Sequence, residues 1–373
     1  MRAGILTFHN ANNYGAVLQA YALQQQLIDN NIETKIIDYR LKEIDEEYKL
    51  FRIDLVKKML KQKKYLEACK ILPYNCLMLK SRLKKKLRFN KFSKKNLKLT
   101  NRCKSYQDIN LLNYDAYICG SDQIWNSNIT NKINDVYFCA FNKDENIKKI
   151  AYAASMGKTN YSKDEEKIFK ENLNNFTNIG VREKQLKEYT ENFTDKKVVQ
   201  VLDPTLLLKN DRWKKISSEY KIDKKYLLIY SLEINNNILS AAELIASEYK
   251  LEIVIIGNKS IRNQNKYIIL NDIGPAEFLG VFEKCEYVIT NSFHGTCFSI
   301  INKKNFYTIP HSSAGSRMIS LLETLGIKSR LITNISEINL NDKIDYLKVN
   351  NKLKVERQYS LKFLNDALFG DGI

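Results

Sequence analysis

The stretch from Tyr287 to Ile301 constrains the fold more than any other. Tyr287-Val288-Ile289-Thr290 has strand character, Asn291-Ser292-Phe293-His294-Gly295 is a polar turn with a glycine, and Thr296-Cys297-Phe298-Ser299-Ile300-Ile301 starts a new apolar pattern. Strand, tight turn and helix start, in that order, is the unit from which parallel α/β sheets are wound. Amides without partners inside the helix would point out of the turn, with the positive end of the helix dipole behind them, and form an anion pocket. Ser292, Gly295 and Thr296 are the small or hydroxylic residues of that pocket, and His294 stands at its lip. The chain has two other histidines, His9 and His311. By position alone, His294 suits either a structural role in a turn or a catalytic one.

The same device recurs along the chain. Ile5 to Phe8 is a short apolar strand, the loop from His9 to Gly15 follows, and Ala16 to Asp29 is a helix with Val17, Ala20, Leu23 and Leu27 on one stripe. No GxGxxG fingerprint accompanies it, so Asn10, Asn13 and Gly15 either face a substrate or form the turn. Thr34 to Tyr39 is a second strand. Tyr114 to Cys119 is another and ends in Gly120-Ser121-Asp122, where Asp122 can orient or deprotonate a hydroxyl or simply cap a helix. Lys149 to Ser155 follows. Asn178 to Val181 presents Arg182 and Glu183, either as a ligand group or as a surface ion pair, and Val198 to Leu202 stops at Asp203-Pro204-Thr205. Five strands ending in polar residues predict one sheet edge lined by ligand groups.

A linker around Leu208 to Lys225, anchored by Trp213, separates this set from a second one. Its strands are Tyr226 to Ser231, Ile253 to Ile256, Tyr267 to Leu270, Tyr287 to Thr290 and Asn305 to Ile309. Ser316 to Leu325 is a helix closed by Gly326. Arg317 lies in its first turn, a poor place for a cation next to the positive dipole end; a bound anion accounts for it, and so does a side chain bent out to solvent. The expected architecture is α/β with two Rossmann-like domains. The first covers 1–210 and carries a basic helical insertion at about 42–106, the second covers 222–350, and a helix in 351–373 packs back on both.

At 373 residues, each half can bury its own core. No uncharged apolar run is long enough to cross a bilayer, and the N-terminus turns polar too early for a signal peptide. Seven cysteines without a CxxC pair suit reduced thiols in a cytoplasm better than a disulfide frame or a zinc site. The net charge of +18 is concentrated between Val56 and Lys104, where eighteen Lys and Arg face the single acid Glu67. Such a block is either a solvated helical face or an attractor of phospholipid headgroups or an acidic polymer, through residues 57–104. Nucleic acid is not expected, because no RNA- or DNA-binding motif accompanies the charge.

With these residues in place, the chain resembles the polysaccharide pyruvyl transferase family. The resemblance rests on Asn12-Asn13-Tyr14-Gly15-Ala16-Val17-Leu18-Gln19, Gly120-Ser121-Asp122-Gln123-Ile124-Trp125-Asn126, Val181-Arg182-Glu183, Asp203-Pro204-Thr205 and above all Ser292-Phe293-His294-Gly295. It implies a glycosyltransferase-B-like pair of Rossmann domains with the active site between them. It also implies transfer of a pyruvyl unit from phosphoenolpyruvate to two hydroxyls of a sugar, on a cell-surface polysaccharide or its lipid-linked precursor. Arg182 and His294 map to donor-binding or catalytic positions, while Arg317 stands near where family members can carry a Lys, and the two cations are not equivalent ligands. The expected roles are His294 as general acid and Asp122 as base, with the donor held by Arg182, Arg317 and the Ser292, Gly295 and Thr296 turn, and with Asn13 and Gly15 facing substrate. No cofactor or metal is expected, and the expected location is cytoplasmic, at the inner membrane face if the basic block meets lipid. The alternatives are a nucleotide-sugar glycosyltransferase of the same architecture and a non-catalytic protein that binds a polymer or membrane.

Overall fold

Short apolar runs that are buried on both faces become central strands of a parallel sheet covered by helices. In the computed structural model, which describes residues 1–51, 56, 59–157, 160–257, 266–310 and 315–370, such runs build two sheets. His311, Lys57, Lys58 and residues 371–373, all named in the sequence reading, lie outside the described residues. Strands β1 (Arg2–Leu6), β2 (Glu33–Tyr39), β3 (Leu99–Cys103), β4 (Ala116–Cys119), β5 (Lys148–Ala154), β6 (Asn178–Val181) and β7 (Val198–Gln200) form a seven-stranded sheet in the order β3-β2-β1-β4-β5-β6-β7. Strands β8 (Tyr226–Tyr230), β9 (Glu252–Ile256), β10 (Ile268–Leu270), β11 (Tyr287–Thr290) and β12 (Asn305–Thr308) form a second sheet in the order β10-β9-β8-β11-β12. Every pairing between these strands is parallel. In each sheet the winding direction reverses beside the first strand, between β1 and β4 and between β8 and β11. Ligands of doubly wound sheets bind outside the carboxyl ends of the strands at such points.

The reading of about 42–106 as a basic helical insertion needs one correction. The block does hold a 32-residue helix, Tyr65–Asn96, but Leu99–Cys103 is β3, paired with β2 at the sheet edge. An edge strand needs little apolar surface and tolerates charge, so Thr100, Asn101 and Arg102 hide its character. The basic block is therefore the enlarged crossover between two strands of the first sheet.

The helices that matter for the site are α1 (Tyr14–Asp29), α2 (Tyr65–Asn96), α3 (Phe293–Ile301), α4 (Gly315–Leu325) and α5 (Tyr346–Phe369). The halves meet through aromatic rings. Tyr14, the first residue of α1, stacks on Phe278 at 4.5 Å and 10°, and its hydroxyl donates to the Ile273 carbonyl at 2.9 Å. Trp213 sits between Tyr21 of the first half, at 5.8 Å, and Phe298 of the second, at 5.2 Å. Each such pair contributes about 0.5–1.5 kcal/mol beyond the area it buries. From α2, Lys84 reaches Asp272 at 3.5 Å, while Arg88 reaches Asp272 at 3.3 Å and Glu277 at 3.6 Å. These half-exposed ion pairs add at most about 1 kcal/mol each, so they orient α2 more than they hold it. Helix α5 crosses both halves: the Tyr346 hydroxyl donates to the Ser299 carbonyl at 3.4 Å, and the Leu202 amide donates to Ser360 Oγ at 2.9 Å.

Candidate active site

The carboxyl edges of the two sheets face each other, and one buried carboxylate lies at their junction. Asp203 follows β7 and is wholly buried. Its Oδ1 accepts from the amide and hydroxyl of Thr205, at 3.0 and 2.7 Å. Its Oδ2 accepts from Ser121 Oγ and from Arg182 Nη1, both at 3.0 Å. The same oxygen lies 3.6 Å from His294 Nε2, across the gap between the halves. Burial alone would raise this carboxyl, but the nearby His294, then the charge of Arg182 and the hydrogen bond from the Thr205 amide, outweigh it and hold Asp203 well below the usual carboxylate range. The site therefore contains a fixed negative charge able to orient an imidazole and stabilise its charged form.

Arg182, at the end of β6, is no surface ion pair, since only 1% of its side chain is exposed. Its Nε donates to Glu183 Oε1 at 3.0 Å, and its guanidinium carbon lies 4.3 Å from the centroid of the Phe293 ring. Burial pulls it down, yet the charges of Glu183 and Asp203 more than offset this and keep it above its ordinary value. Arg317, in the first turn of α4, is affected in the opposite direction. Burial, then the like charge of Arg182, pulls its guanidinium down, and Glu183 and Asp122 restore only part. The two guanidinium groups are thus near enough to repel each other.

Among the described residues, Arg182 Nη2, Arg317 Nε and His294 Nε2 are sealed from solvent and have no hydrogen-bond partner. Leaving buried guanidinium donors unsatisfied is costly, and two of them near an unpartnered imidazole nitrogen call for an acceptor-rich anion. Glu183 Oε2 and Ser155 Oγ are also unpaired.

Helix α3 aims His294 at this point. Ser292 is its N-cap and accepts weakly from the Gly295 amide at 3.4 Å. Gly15 of α1 lies against the imidazole so closely that a β-carbon there would sit 2.0 Å from His294 Nδ1. The first half therefore supplies a flat backbone wall to the ring, and Nε2 is the nitrogen left facing Asp203. Asp122 adopts a left-handed backbone, φ 74°, and bridges to Ala154. Neighbouring Ala153 is also left-handed, φ 50°, where β5 breaks register against β6. Non-glycine residues in that region cost about 1–3 kcal/mol each and cluster at functional sites. Asp122 caps no helix; its Oδ1 accepts from the next amide, Gln123, at 2.9 Å, and its charge acts on both Arg182 and Arg317.

The structure thus gathers His294, Arg182, Arg317 and Asp122 around one gap, with Gly15 as the wall behind His294. Other expected ligand groups are otherwise occupied. Thr296 Oγ1 donates to the Ser292 carbonyl at 3.2 Å and meets Thr308 Oγ1 at 3.0 Å. A β-carbon on Gly295 would lie 2.1 Å from Thr290 Oγ1, so this glycine lets α3 close on β11. The amides of Gly295 and Thr296 are taken by Ser292. This corrects the expectation of an open pocket of free amides: Ser292, Gly295 and Thr296 build the turn. Asn13 caps α1, accepting from Ala16 at 3.3 Å. The residue given no role from sequence is Asp203, together with its partner Ser121; the signals were a strand ending in Asp-Pro and the place of both residues in the motifs that carry the family resemblance. Among the described residues, no group of three or more His, Cys, Asp or Glu is placed to hold a metal ion.

Two facing Rossmann-like sheets with the site between them define a glycosyltransferase-B-like architecture. A UDP-N-acetylglucosamine 2-epimerase has a similar fold, with TM-score 0.50 and 10% identity over 99% of this chain and 95% of that one. Also similar are a Methanocaldococcus jannaschii UDP-GlcNAc 2-epimerase (TM-score 0.49, 14% identity, 95% and 99% covered) and a Streptomyces sp. SF2575 glycosyltransferase (0.41, 11%, 96% and 96%). No curated protein matches the chain. The model of the polysaccharide pyruvyl transferase family matches residues 13–313, and the chain belongs to that family.

Proposed function

We propose that the protein transfers a pyruvyl unit from phosphoenolpyruvate to two hydroxyls of a sugar, on a cell-surface polysaccharide or its lipid-linked precursor. The observation that carries this reading is the convergence of unpartnered, solvent-sealed Arg182 Nη2, Arg317 Nε and His294 Nε2. A donor bearing both a phosphate and a carboxylate relieves the repulsion between the guanidinium groups and satisfies all three. As the double bond of the donor is lost, its methylene gains a proton and becomes a methyl. One sugar hydroxyl adds at the neighbouring carbon and the second displaces phosphate there. The two hydroxyl protons end on the methyl and the leaving phosphate, directly or by exchange. His294 is the general acid, oriented by Asp203, and Asp122 is the base for a hydroxyl. The scheme uses no metal and no cofactor beyond the donor.

The test is to incubate the protein with phosphoenolpyruvate and cell-derived glycans. Acceptor-dependent phosphate release with a ketal methyl signal in the product is expected; release of a nucleotide from a sugar nucleotide instead would replace this reading with that of a glycosyltransferase.

The proposed place of action is the cytoplasmic face of a membrane. No helix among the described residues is long and apolar enough to cross one, but α2 exposes Leu77, Leu83 and Leu87 next to exposed Lys80, Lys86 and Lys91. An amphipathic basic face of this kind suits an anionic lipid surface. Replacing those three lysines with Gln is expected to weaken binding to phosphatidylserine vesicles on the order of a hundredfold, at about 1 kcal/mol per charge. Wild-type binding should also fall steeply with salt, and salt-insensitive binding would exclude the idea.

A further inference from the structure

A second cavity opens on the same sheet edge, between the loop after β1 and the C-terminal part of α2. Its volume is about 270 Å³, and it is lined by Asn10, Asn12, Asn90, Ser93 and Lys94, with Phe89 and Val17 beneath. We propose that it is a subsite for one sugar residue of the acceptor glycan, an inference that rests on the transferase reading above.

Position gives the first argument. Asn12 lies only three residues before Gly15, whose backbone walls the His294 ring. The cavity and the reaction centre therefore share one loop.

Chemistry gives the second. The carboxamides of Asn12 and Asn90 and the Ser93 hydroxyl offer both donors and acceptors, which matches the paired donor and acceptor character of sugar hydroxyls. Behind them the frame is fixed: His9 Nε2 pairs with Asp38 at 3.0 Å, Arg40 grips Asp38 at 2.6 and 2.9 Å, and Asn10 donates to Asp45 at 2.6 Å. In contrast, no hydrogen bond ties the side chains of Asn12, Asn90, Ser93 or Lys94 to any of the described residues. Fixed support behind polar groups with no internal partner is how a specific site is built.

Charge and size give the third. Burial opposes ionisation of Asp38, but hydrogen bonds from His9 and Arg40 hold it well below the usual carboxylate range, so its charge is already spent. Among the described residues that line the cavity, Lys94 is a charge without an ion-pair partner, which favours a neutral or anionic sugar over a cationic one. The volume falls just under the range of roughly 300–1,000 Å³ typical of ligand pockets, which suits a single ring. Because Phe89, Asn90, Ser93 and Lys94 of α2 line it, the enlarged crossover becomes part of acceptor selection.

The test uses the full chain and an immobilised panel of glucose, galactose, mannose and N-acetylhexosamine oligosaccharides of one to four residues. Wild type should retain at least one member. Ser93→Phe, which fills the cavity, should weaken that retention about tenfold or more, and Asn90→Ala about three- to tenfold, as expected for one lost hydrogen bond. Phosphoenolpyruvate binding by calorimetry should stay within about twofold of wild type in both variants. If wild type retains no oligosaccharide, or both variants retain it equally, the subsite is wrong. Loss of retention in the variants of a protein that never binds phosphoenolpyruvate would leave the sugar site standing and remove the donor reading instead. Asn90→Ala keeps the test decisive if Ser93→Phe fails to fold.

Discussion

Asp203→Ala is expected to lose about 3–5 kcal/mol of stability in urea unfolding, together with all measurable transfer. Removing one partner of a buried charge pair leaves the other uncompensated, and the penalty is of that size. Arg182, with 1% of its side chain exposed, would lose one of the two ion pairs it makes among the described residues and keep that with Glu183. Ser121 Oγ would lose its bond to Oδ2, and the Thr205 amide and hydroxyl would lose theirs to Oδ1. The sign with pH follows from the lowered carboxyl. Its contribution is fully present above the unfolded value of about 4 and is lost as the pH falls toward the folded one, so the gap between wild type and variant should narrow below about pH 4. A variant within about 0.5 kcal/mol of wild type, the range of ordinary surface substitutions, would contradict the place given to Asp203.

His294→Ala should behave differently: folded, but slower in transfer by about 10²- to 10⁴-fold, the usual contribution of a positioned general acid. Its Nε2 makes no hydrogen bond among the described residues, so its removal breaks none at that atom. Donor affinity should fall by much less than the rate, because Arg182 and Arg317 remain. The measurement is single-turnover phosphate release beside phosphoenolpyruvate binding. Equal losses in rate and affinity would assign His294 to uniform donor binding instead of proton transfer.

Much of this arrangement can be read in the sequence, because parallel strands announce themselves. Runs such as Tyr226–Tyr230, buried at every position, stand out by composition and length. Edge strand β3 does not, since Leu99-Thr100-Asn101-Arg102-Cys103 sits inside a basic block and pairs on one side only. At the site, the residue types at strand ends point to His294, Arg182 and Asp122. What spacing cannot convey is which groups are already occupied. Thr296 and Gly295 look like ligand groups in a list of residues, but their neighbours on β11 and β12 use them for closing the turn. Asp203 is the opposite case: it stands in the sequence as one polar strand end among five, and in the structure it caps Pro204–Leu207. Its second oxygen joins the two halves only because β4, β6 and β7 lie in one sheet and α3 belongs to the other. Convergence of that kind depends on strand order, which no local pattern encodes.

The central claim is that a small polyanion is gripped between the halves by Arg182, Arg317 and His294. Calorimetric titration of the wild-type protein and of Arg317→Gln with phosphoenolpyruvate tests it most directly. The account expects wild type to bind the donor and to ignore UDP-N-acetylglucosamine, and the variant to bind it about tenfold or more weakly, the cost of about 1.5–3 kcal/mol for a lost charged hydrogen bond. Equal binding by both proteins, or binding of the sugar nucleotide in place of phosphoenolpyruvate, would contradict it.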